Sequence, residues 1–135
     1  MPVESSLFVE EAAEYLAAGS DSEIKFRCSI SRAYYGLYHT GLEYADTIST
    51  PPVSDTAGPS HRKLSAFFEN NLDSDMGLRL SHRRLGYSMK QLHEQRISAD
   101  YKLDHVITRE VAESHLVRCN SMIQLVDTLK AAKAA

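Results

Sequence analysis

A cation, three phenols and an imidazole crowd into one short stretch of this chain, Ser31-Arg32-Ala33-Tyr34-Tyr35-Gly36-Leu37-Tyr38-His39-Thr40, inside a segment that otherwise reads as a buried helix. A seven-residue step along an α-helix returns to within about 20° of its starting direction, so Arg32 and His39 share one face, two turns apart, with Tyr35 between them. The chemistry such a pair suits is phosphodiester cleavage without a metal. That reaction needs a base for the attacking hydroxyl, an acid for the leaving oxygen and a cation for the charged phosphorane. Imidazole titrates in the right range, and guanidinium offers a fixed fork to phosphate oxygens. One arginine and one histidine cannot do all three tasks, but two chains about a twofold axis would supply the missing groups. Arg109 and His115 are a second arginine–histidine pair on one helix, but their six-residue step leaves the side chains about 120° apart.

The elements that must position these residues are helical throughout. A first helix is expected over Ser5 to Ala18, with Leu7, Phe8, Ala12, Tyr15 and Leu16 on one side, Glu10, Glu11 and Glu14 on the other, and Gly19 as its stop. Ser20-Asp21-Ser22-Glu23 offers capping residues for a second helix from near Ser22 to about Asp46. Its apolar positions cover well over half the circumference, which marks it as the central helix. Pro51-Pro52 and Gly58-Pro59 make 47–59 a flexible loop. Ser60 is expected to cap a third helix that starts with His61-Arg62-Lys63 and ends near Asn70-Asn71. The fourth runs from Met76 to about Ile97 on the stripe Leu78, Leu85, Met89 and Leu92. Ser98 to Val106 reads as a connector, after which Thr108 caps the last helix. The expected fold is a single all-α domain over residues 1–135, an antiparallel bundle of about five helices, four of them long.

Composition narrows the classes further. The 135 residues make one domain, 43% apolar and 24% charged, with no run long enough to span a membrane. The N-terminus lacks the charged flank and apolar stretch of a secretory signal, so the expected compartment is the cytoplasm. Cys28 and Cys119 fit that as small core residues with no metal-ligand spacing. The net charge of −3 is unevenly spread: residues 1–23 carry six acids and no base, whereas 60–98 carry seven bases against four acids. Arg79, Arg83, Arg84 and Lys90 give the fourth helix a basic face, which is either plainly solvated or a contact for RNA or an acidic partner. No Gly-rich phosphate loop, nucleophile elbow, zinc cluster or His-Glu-x-x-His is present, and nothing asks for a cofactor or metal.

Three pieces taken together resemble the HEPN superfamily, specifically its small stand-alone prokaryotic members: Ser31-Arg32-Ala33-Tyr34-Tyr35 with His39, then Gly58-Pro59-Ser60-His61, then Arg96-Ile97-Ser98-Ala99-Asp100-Tyr101 before the last helix. The resemblance implies a HEPN bundle that forms a homodimer and is often encoded beside a nucleotidyltransferase or in toxin–antitoxin and phage-defence loci. It further implies metal-independent ribonuclease activity in active members, with an arginine and a histidine separated by four to six intervening residues. On that reading Arg32 and His39 are catalytic, or else Arg109 and His115, with Tyr35, His61, Arg96, Asp100 and Tyr101 in support. Two other readings use the same residues. Arg32, His39, Tyr35, Asp100 and Tyr101 can form a buried polar network in a silent module that binds a nucleotide or a partner such as a nucleotidyltransferase. Alternatively, the acidic first helix and basic fourth helix dock a larger defence complex. His82, His93 and His105 are expected to be solvated.

Overall fold

The computed structural model describes residues 3–17 and 21–134, which form an all-helical bundle: α1 (Ser6–Ala17), α2 (Glu23–Ile48), α3 (Ser60–Glu69), α4 (Met76–Tyr101) and α5 (Arg109–Ala134). The expected stop at Gly19, with Ala18 and Ser20, lies outside the described residues. Helices α2, α4 and α5 each reach 26 residues, while α1 has 12 and α3 has 10.

Helix α2 is central because it is apolar almost all round, and it packs against each of the other four. Its Ala33, Tyr34, Leu37, Tyr44 and Ala45 meet Leu64 and Phe68 of α3, Leu85, Met89 and Leu92 of α4, and Cys119, Met122, Val126 and Leu129 of α5 in the main core. A smaller cluster of Phe26, Ile30, Ala99, Ile107 and Ala112 closes the end of the bundle where α2 starts and α4 stops. No helix of the described residues is long and apolar enough to cross a membrane. Both cysteines are free thiols, Cys119 buried and Cys28 half-buried.

Local rules set the starts of α4 and α5. Asp75 accepts from the Leu78 amide at 3.0 Å and Thr108 Oγ1 from the Val111 amide at 3.2 Å, so both cap as their types predict. Ser60 does not cap α3: Pro59 holds the N-cap position with extended backbone, and Ser60 is the first helical residue. The 47–59 segment is more structured than a featureless loop. Helix α2 continues to Ile48, and Val53–Asp55 makes one 3₁₀ turn that buries Val53.

Helix α4 outruns its expected end by four residues, so Ser98 to Tyr101 is helix and not connector. The reason lies across the bundle. The Arg27 guanidinium of α2, only 5% exposed, donates to the carbonyls of Ser98, Ala99, Lys102 and His105, tying the last turn of α4 and the residues just past it to α2. His82 also departs from expectation. It is buried, its Nδ1 donating to the Leu78 carbonyl at 2.7 Å and its Nε2 accepting from the Tyr44 hydroxyl at 2.7 Å. His105, by contrast, is exposed as expected.

Candidate functional site

The face of α2 that carries Arg32, Tyr35 and His39 lies under α1. Gly36, between them, permits that approach: a Cβ there would sit 2.7 Å from Val9 Cγ2 and 3.4 Å from Phe8 Cβ. Phe8 thereby covers the stripe. Its ring stacks on His39 with centroids 5.2 Å apart, and the Arg32 guanidinium lies 6.0 Å from the Phe8 centroid and 5.4 Å from that of Tyr35. His39 also stacks on Tyr35 at 6.2 Å. Arg32 and His39 are therefore held by the same two rings, and both remain half-buried and within reach of solvent.

Helix α4 supplies the second wall. Arg96 donates to the Tyr35 hydroxyl at 2.7 Å and to Asp100 at 2.8 Å, and its guanidinium lies 5.6 Å from the ring of the exposed Tyr101. Ser31 donates to the same Asp100 carboxylate at 3.3 Å, and Arg32 donates to Ser31 at 3.4 Å. Asp100 thus compensates Arg96 directly and reaches Arg32 only through Ser31, leaving the Arg32 cation the less neutralised of the two. On its outer side Arg32 faces a depression of about 330 Å³ bounded also by Tyr15, Ile24, Cys28 and Leu103.

The first turn of α3 brings His61 against the same aromatic cluster. Its Nδ1 shares a 2.8 Å hydrogen bond with the Tyr34 hydroxyl, its ring packs on Tyr38 at 4.5 Å, and it stacks on His93 of α4 at 4.6 Å. Burial, and after it the nearby His93, Arg96 and His39, push the His61 imidazole down to about 4. His93 is lowered as well, again chiefly by burial and then by Arg96. Burial raises the Tyr34 phenol well above its ordinary range. Near neutral pH the groove thus presents two neutral imidazoles, weaker bases than an ordinary histidine, beside the guanidinium groups of Arg32 and Arg96, which can hold phosphate oxygens.

The residues expected to act together are only partly gathered. Arg32, Tyr35, His39, His61, Arg96, Asp100 and Tyr101 converge from α2, α3 and α4. Arg109 and His115 do not meet: Arg109 donates to the Leu16 carbonyl and packs on Phe26, whereas His115 is buried, with Nδ1 donating to Gln95 at 2.6 Å and Nε2 facing the Cys119 thiol at 3.4 Å. Of the basic face, exposed Lys90 borders His61 and His93. Arg79 and Arg83 turn toward Met76 and Asn71, and exposed Arg84 lies as far along α4 as they do, roughly 20 Å from Arg96 at 1.5 Å per residue.

His93 was expected in solvent and is instead half-buried in the site. Its signal was present in the spacing, since His93, Arg96 and Asp100 recur at helical i, i+3 and i+7. Phe8 gave no such signal. Compared with models of known protein families, with curated proteins and with solved structures, the chain matches none.

Proposed function

We propose that this chain is a HEPN-type protein acting as a metal-independent endoribonuclease of a toxin–antitoxin or phage-defence system, with Arg32 and His39 working across a homodimer. The observation that carries the reading is the shared seat of Arg32 and His39 on Phe8 and Tyr35, half-buried on one face of α2. In this mechanism His39 takes the 2′-hydroxyl proton, the oxygen attacks the adjacent phosphorus, and Arg32 holds the phosphorane oxygens. The partner's histidine then protonates the leaving 5′-oxygen, giving a cyclic 2′,3′-phosphate and a free 5′-hydroxyl. Lys90 and the arginines of α4 would guide the RNA backbone.

A second reading is favoured by Arg96, which is already compensated by Asp100 and Tyr35 as a structural ion pair would be. On it the chain is a silent HEPN module that binds a nucleotide, a nucleotidyltransferase or another defence protein. Incubation of the purified protein with mixed RNA in excess chelator separates the two. The first reading expects cleavage that falls about 100-fold or more in Arg32→Ala and in His39→Ala, both still folded and dimeric. A wild-type protein that leaves RNA intact, or variants that cut as fast as it does, would overturn it.

A further inference from the structure

Between α3 and α4 lies a pocket of about 210 Å³, lined by His61, Arg62, Ser65, Lys90, His93 and Glu94. Pockets that bury a whole drug-sized ligand run from roughly 300 to 1,000 Å³, so this one suits a small anionic group and not a nucleoside. Its charge points the same way. Arg62 and Lys90 are exposed cations at its mouth, and Glu94 is the one acid among those lining residues. The stacked rings of His61 and His93, inclined by only 19°, form one wall. Tyr34 occupies His61 Nδ1, and no hydrogen bond among the described residues engages His61 Nε2.

We propose that this pocket binds the terminal phosphate of a phosphomonoester, Arg62 and Lys90 meeting its charge and His61 and His93 its oxygens. The proposal does not depend on RNA cleavage, because it stands on binding alone. Binding couples to protons. Facing His61 are Tyr34, Tyr35, Tyr38 and His39 from α2 and Lys90, His93, Glu94 and Arg96 from α4; facing His93 are Tyr34 from α2, His61 and Arg62 from α3, and Lys90, Glu94 and Arg96 on its own helix. Burial first, and then the nearby Arg96, keeps both imidazoles neutral in the empty pocket, with Glu94 opposing the shift at His93. A phosphate dianion reverses the local field and draws a proton onto the pair. Binding of the dianion then tightens as the pH falls, by at most about tenfold per unit for one proton taken up, until the second protonation of the phosphomonoester at about pH 6 offsets the gain.

The test is a calorimetric and NMR titration of the full chain with inorganic phosphate, adenosine 5′-monophosphate and adenosine 3′,5′-cyclic monophosphate at pH 7.5 and 6.5. Phosphate and the 5′-monophosphate are expected to shift the His61 and His93 ring resonances, and the 5′-monophosphate to bind more tightly at pH 6.5, by up to about tenfold. The cyclic diester, which carries one charge, is expected to bind at least tenfold more weakly. Lys90→Ala, on an exposed position, weakens the monophosphate at both pH values, and His93→Gln flattens the pH dependence, with circular dichroism checking the fold. Lys130→Ala, which removes an exposed cation of α5 that does not line the pocket, binds as the wild type does, so the loss in Lys90→Ala is not a general effect of charge. Unmoved imidazole resonances at high phosphate, equal affinity for monoester and diester, or wild-type binding by both pocket variants would overturn it.

Discussion

The Tyr35 hydroxyl accepts a 2.7 Å hydrogen bond from Arg96, a residue 61 positions later in the chain, and so ties the candidate face of α2 to the last turns of α4. Arg96 lies over the same ring, 5.0 Å from its centroid, and its side chain is 12% exposed. Removing the acceptor by Tyr35→Phe is expected to cost about 1 kcal/mol in urea denaturation, because Asp100 continues to hold the guanidinium. A loss near zero would mean that water replaces the bond.

Arg27 should matter more to stability than any residue of the candidate site. It is buried, serves four carbonyls at the end of α4 and pairs with Glu23 at 3.2 Å. Arg27→Ala is expected to cost about 3 kcal/mol or more and to fray α4 beyond Ile97, and Arg27→Lys should not restore the loss, since one ammonium cannot span the same acceptors. Hydrogen exchange of the Ser98 to Lys102 amides reads the fraying directly.

Two glycines should respond oppositely to alanine. At Gly86 a Cβ would stand 2.6 Å from the Ser65 carbonyl oxygen and 2.7 Å from the Glu69 amide nitrogen, backbone atoms of α3 that cannot step aside. Gly86→Ala is therefore expected to destabilise by at least about 2 kcal/mol. At Gly41 the nearest atom is the end of the flexible Met89 side chain at 3.2 Å, so Gly41→Ala should be neutral or gain up to about 1 kcal/mol from helix propensity. Thermal denaturation of the two variants side by side settles the contrast.

Acid should weaken the fold through its buried histidines. Burial holds His115 and His61 down at about 4, against an ordinary value of 6.5. Between those values the unfolded chain binds more protons than the folded one, so stability rises with pH across that window. It is fully present above about pH 6.5 and falls as the pH drops toward 4. For His115, 1% exposed, the loss is on the order of 3 kcal/mol. Urea midpoints measured from pH 7.5 to pH 4.5 check the slope, and His115→Gln should flatten it. A slope that His115→Gln leaves unchanged would place the titration elsewhere.

The helices and the common face of Arg32, Tyr35 and His39 were legible in the sequence, because each depends on residues within a turn or two of one another. Periodicity marked α2 as central, and Thr108 announced the helix it caps. The end of α4 was not legible, since nothing near Ser98 tells that Arg27, 71 residues earlier, will satisfy its carbonyl. Nor was the fate of the histidines. His82, His93 and His115 sit at similar helical spacings, and only packing decides that Tyr44 buries the first, that His61 draws the second into a groove and that Gln95 and Cys119 seal the third. Spacing along one helix is a local property of the backbone, whereas burial depends on which faces of distant helices meet. The sequence by itself therefore determined which groups share a face, and the tertiary structure alone decided which of them reach solvent and one another.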